Sequence, residues 1–189
     1  MRAAVFVDRD GTLNEEVGYL HRPQDVVLVP GAAQAVAQLN ARGIPVIVVT
    51  NQSGIGRGRY GWEDFRAVTD RIAALLRTER AHVDGVYAAP HHEQGLGEYA
   101  HPDHPDRKPN PGMLLRAAQE HSLDLSRSWM IGDKAADLEA GRRAGCRTAL
   151  VLTGYGKQVD PGLADLVAED LAGAVARIQA AWEAGGPQG

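Results

Sequence analysis

Two carboxylates stand one residue apart in Asp8-Arg9-Asp10-Gly11-Thr12, directly after the apolar run Ala3-Ala4-Val5-Phe6-Val7. Such a pair can hold Mg²⁺ while an oxygen of one acid attacks phosphorus and the other acid shuttles a proton to the leaving oxygen. An isolated Asp-x-Asp-Gly is as readily a solvated turn, so it gains meaning only in company. A calcium loop counted from Asp8 fails, because Thr12 and Tyr19 stand where a carboxylate or amide and a bidentate Glu are needed.

The company is present. Thr50-Asn51-Gln52-Ser53-Gly54-Ile55-Gly56-Arg57-Gly58 follows the apolar run Ile44 to Val49 and offers hydroxyls, amides and glycine-exposed backbone, the materials of a phosphate cradle. It lacks the Gly-Lys-Thr ending of a nucleotide P-loop. Arg107-Lys108-Pro109-Asn110-Pro111-Gly112 brings two adjacent cations to the start of a helix, where surface charge is the bland alternative. Ile131-Gly132-Asp133-Lys134-Ala135-Ala136-Asp137 supplies a further acid after another apolar run. Asp133 can complete a Mg²⁺ site, while Asp137 suits either a metal or a loop-orienting role.

These groups need a scaffold that gathers them. Short β-branched runs alternate with segments of helical period, the pattern of a parallel sheet covered by helices, so the fold class is α/β. The pattern predicts strands at Ala3 to Val7, Ile44 to Thr50, Val83 to Ala88, Trp129 to Ile131, Ala149 to Leu152 and Leu166 to Ala168. Helices are expected at Gly31 to Arg42, Gly61 to Arg80, Pro111 to Ser122, Ala135 to Ala144 and Leu171 to Glu183. Asn110 before Pro111, and Asp170, suit helix starts; Gly43 and Gly145 suit helix exits. Each chemical motif then lies at the carboxyl end of a strand or just before a helix, where an open α/β sheet places its ligand crevice. Two long irregular stretches, Arg9 to Pro30 and Pro90 to Asn110, are expected to be functional. One domain over 1–183 and a loose tail over 184–189 are expected.

Composition narrows the function classes. A hydrophobic share of 44% with 23% charged residues fits a folded globular chain and argues against disorder. The net charge of −4 gives no surplus for nucleic acid or anionic lipid. No apolar run approaches the ~20 residues of a membrane span, and Ala3 to Val7 is cut off too soon for a signal peptide. With Cys146 as the single cysteine, an internal disulfide and a cysteine-rich metal site are both excluded. The expected compartment is the cytoplasm, and a monomer is expected.

In type and chain order the four motifs Asp8 to Thr12, Thr50, Lys108 and Asp133 resemble those of the haloacid dehalogenase (HAD) superfamily of phosphatases, over residues 5 to 154. Asp8 to Asn14, Gly18-Tyr19, Thr50 to Ile55, Arg57-Gly58, Pro90-His91-His92, Arg107-Lys108-Pro109, Pro111-Gly112-Met113 and Gly132-Asp133-Lys134 are similar to its group of small phosphatases acting on heptose 1,7-bisphosphate and histidinol phosphate. The resemblance implies one Rossmann-like domain, and the chain length leaves no room for a large cap.

It also implies roles. Asp8 would be the nucleophile, forming an aspartyl-phosphate, and Asp10 the general acid and then base. Asp8, the carbonyl of Asp10 and Asp133 would hold Mg²⁺. Thr50 and Lys108 would contact the transferred phosphoryl group, Arg107 would recognise the rest of the substrate, and Lys134 would complete the site. Glu16, Val17, Gly18 and Tyr19, with Asn51, Gln52 and Ser53, would line the sugar. The expected reaction is Mg²⁺-dependent removal of the 7-phosphate of a heptose 1,7-bisphosphate. Histidinol phosphate is the rival substrate, and a 3′-phosphorylated polynucleotide is disfavoured by the −4 charge. A phosphoacceptor receiver domain, the rival from another class, carries its acceptor Asp on a middle strand, not at the start of the chain.

In one place the chain departs from the group, whose members carry a zinc loop of one Cys and one His followed by a Cys pair before the Arg-Lys. Here Ala89 replaces the first Cys, His91 keeps the His, and His104 and Asp106 replace the pair. These ligand types weigh against structural zinc. Any zinc would fall to His91, His104 and Asp106, with His92 or His101 as a fourth ligand.

Overall fold

The computed structural model describes residues 1–184. Of the tail expected over 184–189, Ala184 closes the last helix instead, and the remainder lies outside the described residues. Six strands form one sheet in the order β3-β2-β1-β4-β5-β6, with every neighbouring pair parallel. They are β1 (Val5–Val7), β2 (Val46–Asn51), β3 (Gly85–Ala89), β4 (Trp129–Gly132), β5 (Arg147–Val151) and β6 (Leu166–Ala168). The helices are α1 (Ala32–Ala41), α2 (Ser53–Gly56), α3 (Trp62–Thr78), α4 (Gly112–His121), α5 (Ala135–Ala144) and α6 (Leu171–Ala184).

The central strands are apolar without alternation because both faces of the sheet are covered. Val5, Val7, Val46, Val48 and Ile131 pack against α1, α3 and α6 through Val36, Leu39, Val68, Ile72, Val175 and Ile178. Phe6, Ile47, Val49 and Met130 face the other layer, Met113, Leu114 and Ala117 of α4 and Ala140 of α5. No inserted cap domain interrupts this arrangement among the described residues; the long stretches after β1 and β3 hold single 3-10 turns at Pro23–Asp25 and Gly97–Tyr99.

Several element ends move from their expected places for local reasons. β2 begins at Val46, not Ile44, because Pro45 has no N–H for a ladder; its carbonyl accepts from Val5 N at 2.9 Å. β3 begins at Gly85, since the Asp84 carboxylate takes the Val46 N–H at 2.8 Å in place of a strand carbonyl. α4 is capped by Pro111, not Asn110. The Asn110 amide is turned outward, donating to Asp103 at 2.7 Å and accepting from Arg143 at 3.0 Å. Asp170 does cap α6, accepting from Gly173 N at 2.8 Å. The glycine-rich stretch after β2, where no helix was expected, coils for one turn as α2.

β1 lies between β2 and β4, so the chain order reverses there and the carboxyl ends of these three strands open a crevice. The register Val7↔Val48 and Val7↔Ile131 brings Asp8, Thr50 and Asp133 to one edge of the sheet.

Candidate active site

A cavity of about 450 Å³ opens over that edge, its wall including Asp8, Asp10, Thr50, Arg107, Lys108 and Lys134. On its floor Lys108 Nζ lies 2.7 Å from Asp8 Oδ1, 2.7 Å from Asp137 Oδ1 and 2.7 Å from the carbonyl of Val49. Both charged side chains of the Lys108–Asp8 pair are buried. Burial works against the charged form of Lys108, but Asp137 and Asp8 more than offset it and raise its pKa. For Asp8, burial and the neighbouring Asp137 push the pKa up to about 7, even with Lys108 beside it. An anionic pair on a single cation leaves the floor short of positive charge.

Lys108 is placed by Asn51. The Asn51 amide donates to the Lys108 carbonyl at 2.9 Å and accepts from its N–H at 3.0 Å. Asn51 lines the cavity as expected, yet its polar atoms hold the lysine loop. Asp137 likewise spends both oxygens inside the protein, on Lys108 Nζ and on Lys134 N at 3.0 Å. The geometry therefore gives Asp137 the loop-orienting role.

Asp133 is different. It is fully buried; Oδ2 accepts from Tyr155 N at 2.8 Å, while Oδ1 has no hydrogen-bond partner and the Lys134 ammonium stands 3.8 Å away. Burial raises its pKa. Among the described residues the group of three carboxylates able to hold a metal ion is Asp8, Asp133 and Asp137. An orphaned carboxylate oxygen beside Asp8 fits a hard divalent cation. Gly11 and Gly154 make room for the Asp133 carboxylate: both have positive φ, and a Cβ on either would collide with Asp133 Oδ2. Gly154→Ala is accordingly expected to displace Asp133 and weaken divalent-cation binding about 10- to 100-fold. The check is the Mg²⁺ concentration needed to raise the melting temperature. An unchanged requirement would show that Asp133 is not a ligand.

Towards the mouth, Lys134 Nζ reaches Glu16 Oε2 at 3.2 Å and lies 5.0 Å from the centre of the Tyr155 ring. Burial opposes its charge, but Asp8, Asp133 and Glu16 prevail and raise its pKa. Glu16, Gly18 and Tyr19 line the cavity with Ser53 and Gln52. Val17 does not. The turn closed by Gly18 N on Glu16 Oε1, 2.8 Å, directs Val17 outward, where it is 53% exposed. Arg107 lines the cavity, and its Nη1 donates to the carbonyl of His91 at 2.8 Å.

Tyr60 and Tyr155 also line the cavity, although nothing in their sequence setting marked Tyr60. Tyr155 carried one usable signal, its place just beyond the carboxyl end of β5. Arg9, buried beside Asp10, was another residue passed over: its Nη2 lies 2.9 Å from Asp10 Oδ2.

The zinc loop of the resemblance does not fit the residues present. Ala89 offers no ligand. The rings of His91 and His104 stack with centroids 3.4 Å apart and planes 6° apart, so their in-plane lone pairs run side by side and do not converge on one ion. His104 Nδ1 accepts from Asp106 N at 3.1 Å, and the Asp106 carboxylate is paired with Arg116 at 2.6 Å. His101 packs edge-on against both rings, and His92 Nδ1 accepts from Gln94 N at 3.0 Å. Among the described residues the ligand atoms that converge as a metal site requires are those of Asp8, Asp133 and Asp137, not those of this loop. Ring stacking and ion pairing hold this loop.

Known proteins share both sequence and architecture with this chain. The HAD-hydrolase-like family model matches residues 106–174. The D-glycero-beta-D-manno-heptose-1,7-bisphosphate 7-phosphatase of Mesorhizobium japonicum is 51% identical over 161 residues, covering 85% of this chain and 74% of the relative. Its Escherichia coli K12 counterpart is 38% identical over 172 residues, covering 89% and 90%. Among solved structures, an HAD-like phosphatase from Mesorhizobium loti superposes with a TM-score of 0.86 at 47% identity, over 99% of this chain and 88% of that one. The D,D-heptose 1,7-bisphosphate phosphatase of B. bronchiseptica, complexed with magnesium and phosphate, gives 0.84 at 31% identity, over 96% and 99%. No helix among the described residues is long and apolar enough to cross a membrane.

Proposed function

Because this chain belongs to the haloacid dehalogenase superfamily, among its heptose-bisphosphate phosphatases, and is a phosphatase, we propose that it removes the 7-phosphate of D-glycero-D-manno-heptose 1,7-bisphosphate through an aspartyl-phosphate. The observation that carries this reading is the juxtaposition of a Lys108-bound Asp8 with the orphaned Asp133 oxygen, at the floor of a cavity whose wall holds a further cation, Arg107.

Asp8 attacks phosphorus while the bond from phosphorus to the sugar oxygen breaks, and Asp10 delivers a proton to that oxygen. Water then attacks the phosphorus of the aspartyl-phosphate and gives a proton back to Asp10, and the bond from phosphorus to Asp8 breaks to release phosphate. Thr50 and Lys108 bind the phosphoryl oxygens, Lys108 as a fixed positive charge already in place before substrate arrives. Mg²⁺, held by Asp8, Asp133 and the carbonyl of Asp10, would supply the positive charge that the anionic floor lacks.

Arg107 offers a planar fork to the distal phosphate. It is half-buried, burial lowers its pKa, and its Nη1 is anchored on His91, so its reach is set in advance. The test is a comparison of kcat/KM for heptose 1,7-bisphosphate, histidinol phosphate and p-nitrophenyl phosphate, with Arg107→Ala alongside. The bisphosphate should be the best substrate. Arg107→Ala should lower its kcat/KM by about 10²-fold, the worth of a charge-assisted bidentate contact, and leave the aryl phosphate little changed. Preference for histidinol phosphate, or equal losses on both esters, would overturn the substrate assignment.

A further inference from the structure

Gln52, expected to face the sugar, has no polar atom free to do so. Its Nε2 donates to Asp10 Oδ2 at 3.0 Å and to Thr50 Oγ1 at 2.8 Å. Its Oε1 accepts from Arg9 Nη2 at 3.1 Å and from the Tyr60 hydroxyl at 2.5 Å. Chemistry fixes which end is which. A guanidinium only donates and a carboxylate only accepts, so a flipped amide would set donor against donor at Arg9 and acceptor against acceptor at Asp10. Two donors and two acceptors saturate the amide.

The partners are themselves held. Arg9 is buried, its guanidinium carbon 5.4 Å from the centre of the Phe65 ring. Burial pushes the Tyr60 hydroxyl up to about 12, so it stays a donor. The Tyr60 ring stacks on His21 with centroids 5.8 Å apart and forms part of the cavity wall. At Asp10, Oδ2 receives Gln52 Nε2, Arg9 Nη2 and Arg9 Nε at 3.2 Å, whereas Oδ1 receives Asn14 Nδ2 at 3.0 Å and Arg9 Nε at 3.1 Å.

We propose that Gln52 is a positioning residue for the acid–base step, aiming Asp10 and tying its orientation to Tyr60 on the wall of the substrate cavity. The inference rests on the acid–base role given to Asp10 above. Arg9 Nε is shared between the two oxygens, so the donors particular to each, Gln52 and Arg9 Nη2 on Oδ2 and Asn14 on Oδ1, fix which way the Asp10 carboxyl group is turned. In that orientation Asp10 gives its proton to the ester oxygen as the bond to phosphorus breaks. A residue acting through the general acid matters in proportion to how much the leaving oxygen needs a proton. A sugar or other alkyl alkoxide needs it, whereas p-nitrophenolate leaves without help.

Two variants separate this from a structural role. Gln52→Met keeps the length of the side chain and removes every hydrogen bond; Gln52→Glu keeps acceptors for Arg9 and Tyr60 but presents an anion to Asp10. The readout is kcat/KM, which reports steps through aspartyl-phosphate formation, for heptose bisphosphate, glycerol 3-phosphate and p-nitrophenyl phosphate. The ratio of alkyl to aryl values on one preparation cancels any difference in folded fraction. Both variants should lose about 10²-fold on the alkyl esters, the scale of a misplaced general acid, with a far smaller loss on the aryl ester. Equal losses on both ester classes, or wild-type alkyl rates in Gln52→Glu, would overturn the proposal. A wild-type protein that hydrolyses glycerol 3-phosphate and p-nitrophenyl phosphate but not the bisphosphate would overturn the substrate reading instead, leaving the Gln52 comparison intact.

Discussion

Asp8→Asn is expected to abolish turnover of every phosphate ester, by about four orders of magnitude or more, while the fold persists. The amide nearly matches the carboxylate in shape but cannot attack phosphorus. The same variant carries a stability signature. Burial and Asp137 raise the Asp8 pKa from 3.8 to about 7 in the folded protein without metal. The folded state therefore binds this proton more tightly than the unfolded chain, and stability is lost as pH rises from about 4 through 7. Asparagine has no proton to lose. The metal-free variant should therefore melt no lower than wild type at pH 8, and the two should converge towards pH 4. Mg²⁺ should raise the melting temperature of wild type and not of the variant. Activity on p-nitrophenyl phosphate and melting curves over this pH range are the measurements, with deamidation excluded by mass spectrometry. Appreciable residual turnover would remove Asp8 as nucleophile.

Lys108→Met should be the most damaging single change to activity and stability together. It removes a buried ammonium from between Asp8 and Asp137 and leaves the Val49 carbonyl without that donor. Breaking a buried pair by deleting one partner costs about 3–5 kcal/mol, which for a chain of this size corresponds to roughly 6–20 °C in melting temperature. The loss on the bisphosphate and on p-nitrophenyl phosphate should be alike, because the ammonium meets the group common to both. Lys108 lowers the pKa of Asp8, so its removal drives that pKa further upward. The ionised nucleophile then accumulates only at higher pH, and the acidic limb of the kcat/KM profile should move to higher pH than in wild type. An unshifted limb with an unchanged melting temperature would contradict the central place given to this lysine.

The α/β class, the strand positions to within two residues, and the gathering of Asp8, Asp10, Thr50, Lys108 and Asp133 were legible in the order of short apolar runs and chemical motifs. The reason is geometric. In an all-parallel sheet every strand points the same way, so residues that follow different strands meet at one edge whatever the intervening helices are. What the tertiary structure alone decided was the partner of each polar group. Lys108 reaches Asp8 across 100 residues of chain, Gln52 turns inward to Asp10 across 42, and Asn51 closes on the Lys108 backbone across 57. Such pairings depend on the path of loops with no period to read, which is why the sequence marks Asn51 and Gln52 as cavity-lining residues but not their inward partners, sets Val17 beside the cavity, and gives no sign of Tyr60. The histidine loop makes the same point: His91, His104 and Asp106 keep the spacing of a metal clip in sequence, and only the stacked rings and the Asp106–Arg116 pair show that their ligand atoms do not converge on one ion.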